Sequence, residues 1–130
     1  MIKVYQTKVS ESNGNCAQAV IASLLEINLN DVPNFVENHH IKPMNPEIIK
    51  FLKSKGFNSQ YSIPPKVIRD KGINGYFYAI VRSQTFNNTQ HAVVIDKNLN
   101  IVHDPNPNGK CLNLKPTDII KVLLNSYTVR

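Results

Sequence analysis

Asn13-Gly14-Asn15-Cys16-Ala17-Gln18-Ala19-Val20-Ile21-Ala22-Ser23-Leu24-Leu25 reads as a polar turn, a cysteine, and then a buried helix. Ala17, Val20, Ile21, Leu24 and Leu25 follow the i, i+3, i+4, i+7, i+8 spacing of one helical face. Asn13, Gly14 and Asn15 are turn and cap formers, so the helix is expected to start near Cys16 and run to about Glu26. A cysteine at that position sits among backbone N–H groups that have no intrahelical partner, at the positive end of the helix dipole. Both favour the thiolate, the nucleophilic form of sulfur. The same position also suits a small buried cysteine that fills a core gap. The rest of the chain decides between the two.

The 130 residues suit a single domain spanning 1–130 with one core, and the 42% hydrophobic share is ordinary for a folded protein. Fifteen basic and nine acidic residues give a net charge of +6. The basic residues are scattered, with no arginine-rich run and no interleaved aromatic stripe, so the charge reads as solubility and weighs against a nucleic-acid partner. Two cysteines, Cys16 and Cys111, do not make a disulfide framework. The start of the chain lacks the apolar core of a signal peptide, and no apolar run approaches a membrane span. The expected compartment is the reducing cytoplasm.

Taken in order, residues 2–6 suit a short strand or an extended segment. Residues 28–35 suit a second short helix, with Pro33 tolerated only in its first turn. Residues 37–44 read as a polar loop. Its adjacent His39 and His40 lack neighbours at a zinc-like spacing. Asn45 and Pro46 suit the N-cap and first position of a helix that ends at Gly56. Residues 60–63 suit a short strand, 67–71 a helical turn, and 75–83 a strand rich in aromatic and β-branched residues. Residues 119–124 carry too many apolar side chains to separate helix from strand, and 126–129 are a further strand candidate.

The second informative stretch is His91-Ala92-Val93-Val94-Ile95-Asp96-Lys97-Asn98-Leu99-Asn100-Ile101-Val102-His103-Asp104. Two β-rich runs flank a turn at Lys97-Asn98, a hairpin pattern. If those two residues are the whole loop, His91 lies directly opposite Asp104, with Cβ atoms roughly 4.5–5.5 Å apart on one face. A carboxylate there fixes the imidazole tautomer and stabilises an imidazolium. A change of one residue in loop length breaks that register. Asp104 before Pro105 is also an ordinary turn initiator. His103, on the opposite face, reads as a surface or loop histidine.

A cysteine opening a helix, a histidine on a later strand and an aspartate on the next strand follow the order of papain-like thiol hydrolases. The chain resembles the small papain-like cysteine peptidases of phages and prophages. The resemblance rests on Gln6-Thr7, Gly14-Asn15-Cys16, Ser23-Leu24-Leu25, Val32-Pro33-Asn34-Phe35, His91-Ala92-Val93-Val94 and Val102-His103-Asp104-Pro105. More distantly, it is similar to the leader-cleaving peptidase domains of bacteriocin exporters. The resemblance implies Cys16 as nucleophile, His91 as general base and then acid, and Asp104 as the group that orients the ring. It implies Gln6 as the side chain of the oxyanion hole, paired with the backbone N–H of Cys16. In this family that glutamine usually precedes the cysteine by about six residues; here it precedes it by ten, so residues 7–13 must loop out. Gln18 is an alternative, although two residues into the helix it would point away.

The implied fold is α+β, with the cysteine helix packed on an antiparallel sheet built from residues 76–81, the His91/Asp104 hairpin and residues 126–129. The expected reaction is amide hydrolysis through an acyl-enzyme on Cys16, with a protein or peptide as substrate. Deamidation or acyl transfer by the same triad, and a non-catalytic binding module, are the alternatives. No phosphate loop, dinucleotide fingerprint or metal-ligand cluster appears, so no cofactor is expected.

Overall fold

The computed structural model describes residues 1–10, 14–35, 44–56, 64–72, 74–87 and 89–125. Among the described residues, three α-helices and four strands follow in the order α1 (Cys16–Leu25), α2 (Met44–Ser54), α3 (Pro65–Lys71), β1 (Phe77–Arg82), β2 (Gln90–Ile95), β3 (Ile101–His103) and β4 (Ile119–Asn125). The sheet order is β3-β2-β1-β4, and each neighbouring pair is antiparallel. The chain is therefore α+β. The fourth strand is Ile119–Asn125, where β-branched Ile119, Ile120 and Val122 outweigh the helical alternative. A 3₁₀ turn at Pro116–Asp118 delivers it, closed by the Asp118 carboxylate accepting the Lys115 N–H at 2.7 Å. The expected strands at 60–63 and 126–129, and His39 and His40, lie outside the described residues.

Alternation along β1 divides the core. Tyr78 and Ile80, with Ala92 and Val94 of β2, face Ala17, Val20, Ile21 and Leu24 of α1 and Ile48 and Leu52 of α2. Phe77, Ala79 and Val81, with Val93 and Ile95, face the other side, where Ile68 of α3, Leu99, Ile101, Cys111, Ile119 and Val122 gather. Residues 17–24 of α1 are all buried, so this helix is enclosed on every side rather than on one face. Deleting a side chain such as Ile21 from it should cost about 2–5 kcal/mol.

Three local expectations need correction. The helix expected over residues 28–35 is replaced by a 3₁₀ turn, Leu29–Asp31, which Pro33, lacking an amide, cannot extend. Helix α2 spans Met44–Ser54, so Asn45 sits inside its first turn rather than at its N-cap, and Pro46 is its third residue rather than its first. Residues 67–71 belong to a longer helix that starts at Pro65 and stops at Gly72, whose φ of 59° is a left-handed cap.

The hairpin also departs from the expected register. Asp96 N–H donates to Asn100 O at 3.0 Å, and Leu99 stands between them at φ 67°. The loop is therefore three residues, a turn closed by a left-handed residue, not the two of Lys97-Asn98. Asp96 Oδ1 also accepts the N–H groups of Asn98 and Asn100, which stabilises the longer loop. Ile95 accordingly pairs with Ile101, and a bulge then sets Val94 against His103. His91 is thus not directly opposite Asp104. The extra loop residue and the bulge each move the register by one, which returns the two residues to the same face as diagonal neighbours.

Residues 2–6 are extended and belong to no strand. Val4 is anchored by its N–H to Ser23 Oγ at 2.9 Å and by its carbonyl, which accepts His103 Nε2 at 2.7 Å. Gln6 N–H donates to Pro105 O at 2.9 Å. His103 is therefore a core residue, 1% exposed and edge-on to Tyr5, rather than a surface histidine.

Candidate active site

Cys16 is the first residue of α1 and is only partly covered. Asn15 precedes it at φ −111°, ψ 38°, and its side chain caps none of the helix N–H groups. Burial alone pushes the Cys16 thiol up, yet its pKa lies below the ordinary value. The His91 ring hydrogen-bonds and charge-stabilises the sulfur, and backbone hydrogen bonds from Ala92 and Ala17 add to this.

His91 is the second residue of β2, paired with Val81 of β1, so the sheet end lies against the start of α1. Its Nε2 lies 2.7 Å from Asp104 Oδ1. That leaves Nδ1 as the ring nitrogen for the Cys16 sulfur. Burial opposes charge on the ring, but the hydrogen bond to Asp104 and the bonds and charge of Cys16 raise its pKa to about 9. The three groups form a continuous chain: Cys16 sulfur, His91 ring, Asp104 carboxylate.

Asp104 stands just past the end of β3 and is 2% exposed. Besides His91, its Oδ1 accepts the Asn106 N–H and its Oδ2 the Cys111 N–H, both at 2.9 Å. Burial raises the carboxyl pKa, but His91 and these two donors hold it below the ordinary value. The turn-initiating role and the histidine-orienting role are therefore met by the same carboxylate. The turn fixes the oxygen that the ring needs.

Gln6 is 7% exposed and shares a cleft of about 130 Å³ with Cys16, His91, Thr85, Phe86 and Asn106, among others. Its Nε2 donates to Lys8 O at 2.8 Å, and its Oε1 has no hydrogen-bond partner. An amide nitrogen carries two hydrogens, so one N–H remains beyond the bond to Lys8. Gln18 serves elsewhere: its Nε2 donates to Leu29 O at 2.9 Å and to Val32 O at 2.8 Å.

Cys111 is the second thiol, buried, with burial and the Asp104 charge pushing its pKa up to about 12. His91, Asp104 and Cys111 offer three ligand atoms within 4.8 Å of one another. The Asp104 oxygens already accept three N–H groups, and the Cys111 thiol is held protonated, so the cluster reads as a hydrogen-bonded support for His91.

Two buried groups escaped the sequence reading. Asn15 looks like any turn former, although an asparagine three residues before Gln18 was a usable signal, since the two side chains share a bond of 3.2 Å. Asn106, lost in the run Asp104-Pro105-Asn106-Pro107, is 4% exposed and lines the cleft.

Chemically, the chain can take a proton from sulfur onto His91, keep the imidazolium beside Asp104, and return that proton to a leaving group. No family model, no curated protein and no solved structure matches this chain. Among the described residues, no helix is long and apolar enough to cross a membrane.

Proposed function

We propose that the protein is a papain-like cysteine peptidase or isopeptidase. In this reading Cys16 attacks an amide carbonyl and His91 protonates the leaving amine. The acyl-enzyme is released by water activated by the same ring. Asp104 keeps the ring oriented and charged. Gln6 and the backbone N–H of Cys16 stabilise the developing oxyanion. A protein or peptide is the substrate, a reducing compartment such as the cytoplasm keeps the thiol free, and a phage or prophage setting follows from the resemblance to those small peptidases.

The observation that carries the reading is the 2.7 Å bond between His91 Nε2 and Asp104 Oδ1, on a ring whose other side meets Cys16. A packing histidine would have no need of a buried carboxylate behind it and a helix-start thiol in front. The α+β fold, with the thiol-bearing helix packed on an antiparallel sheet, is compatible with the proposal. The test is a panel of peptide, isopeptide and glutamine-containing substrates offered to the wild type and to Cys16→Ala. Cleavage of a peptide or isopeptide bond that disappears with Cys16 is expected. Release of ammonia without chain cleavage would replace the proposal with a deamidase.

A further inference from the structure

Gln6 and Cys16 are ten residues apart, a span that could reach more than roughly 30 Å if extended, yet they line one cleft. Something must close the excursion between them. The closing bonds converge on Asn15. Its Oδ1 accepts the Thr7 N–H at 3.0 Å and the Lys8 N–H at 2.9 Å. Its Nδ2 donates to Thr7 Oγ1 at 3.0 Å and to Gln18 Oε1 at 3.2 Å. Its own backbone N–H donates to Lys8 O at 3.1 Å. That carbonyl is the one that also accepts Gln6 Nε2. The Gln6 amide and the Asn15 backbone therefore meet on a single oxygen. Gln18, in turn, is held by the carbonyls of Leu29 and Val32, so the clamp is braced against the body of the protein. At the base of the excursion a Cβ on Gly14 would stand 2.6 Å from Ser10 O, so only glycine lets the chain close this tightly.

We propose that Asn15 is a positioning residue that sets the Gln6 side-chain amide relative to the backbone N–H of Cys16. The idea rests on the reading of those two donors as the oxyanion site. Asn15 is 3% exposed, and its side-chain amide meets four partners, so it is rigid as well as buried. The clamp turns a ten-residue separation into the local geometry that a shorter spacing would supply unaided. Because Asn15 precedes the nucleophile directly, one side chain holds both walls of the site.

The test compares Gln6→Ala, Asn15→Ala and the double variant in three measurements. For acyl-substrate turnover, Asn15→Ala should lower kcat by about tenfold or more, towards the 10²–10³-fold typical of one lost oxyanion donor, with little change in KM. The double variant should be no slower than Gln6→Ala, because Asn15 acts through Gln6. Alkylation of Cys16 by iodoacetamide, which builds no oxyanion, should change by less than about twofold in every variant. Without any substrate, hydrogen exchange at the Thr7 and Lys8 amides should be faster in Asn15→Ala than in the wild type. Should Asn15→Ala fail to fold, Thr7→Val removes one partner of the clamp and should show the same pattern at smaller size. Losses that multiply in the double variant, or unchanged exchange at Thr7 and Lys8, would overturn the proposal. A wild type that turns over no acyl substrate would count against the proposed function instead. In that case exchange, and the affinity of an N-acetyl dipeptide aldehyde for each variant, decide the clamp: either equal affinities or equal exchange would overturn it.

Discussion

Replacing Asp104 by Asn removes the charge behind His91 while keeping the side chain's shape. In the wild type the ring pKa stands at about 9 against an ordinary 6.5. That difference corresponds to roughly 3 kcal/mol in favour of the imidazolium. Burial works against the charge, so the support comes from Asp104 and from Cys16. With the carboxylate gone, His91 should titrate near or below its ordinary value. At about pH 7.5 the ring would then be about one-tenth charged instead of almost wholly charged. The thiolate–imidazolium pair should fall about tenfold, and turnover with it, whereas Cys16→Ala should abolish turnover. The alkaline limb of the pH profile should move down from about 9 by about two to three units. The imidazole resonances of His91, followed by NMR, read the midpoint directly. The fold should also weaken, because Asn offers one carbonyl where the carboxylate accepts three N–H groups; about 1–3 kcal/mol is expected in urea. A His91 midpoint that stays near 9 in Asp104→Asn would show that the carboxylate does not hold the ring's charge.

Cys16, with a depressed pKa and partial exposure, should be alkylated by iodoacetamide at neutral pH well before Cys111, which is buried with a pKa near 12; peptide mapping checks this, and equal rates would count against an activated thiol. Gln6→Ala should cut acyl-substrate turnover by about 10²–10³-fold while leaving Cys16 alkylation intact, and unchanged turnover would remove Gln6 from the site. His103→Leu should destabilise the fold by about 1–3 kcal/mol, since it removes the 2.7 Å donor to the Val4 carbonyl and leaves only the longer bond from the Ser23 hydroxyl at 3.3 Å, with no direct effect on Cys16 labelling. In the wild type, the stability that charged His91 contributes is present below its ordinary pKa and should drain away as pH rises through about 9. The corresponding contribution of Asp104, whose pKa is lowered, is present above its ordinary value and should be lost as pH falls below it.

The helix and its cysteine were legible because α1 combines a turn signal, a helical apolar period and a thiol at the one boundary where those meet. The strand at 77–82 was legible from its aromatic and β-branched run. What the sequence hid is what depends on a few degrees of backbone. Leu99 adopts a left-handed conformation that apolar residues rarely take, so nothing in Asp96-Lys97-Asn98-Leu99 announced a three-residue loop. The bulge that restores the register is equally silent. His91 and Asp104 come together although the argument that paired them had the wrong register. The buried roles of His103 and Asn15 were hidden for a different reason. Both depend on the extended N-terminal segment crossing the end of β3 and the start of α1, a long-range contact with no local signature. Asp104 illustrates the opposite case: two readings that looked like rivals, turn former and histidine partner, are served by different hydrogen bonds of one carboxylate.

Trapping the acyl-enzyme shows whether Cys16 is a nucleophile activated by His91. An activated peptide ester is added at neutral pH, the reaction is quenched in acid after milliseconds to seconds, and intact protein and its peptides are weighed by mass spectrometry. A single acyl group is expected on Cys16 in the wild type and in Cys111→Ala, with accumulation at least about tenfold slower in His91→Ala as the thiolate–imidazolium pair is lost. Acylation at Cys111, or acylation of Cys16 at the same rate with His91 removed, would contradict that activation.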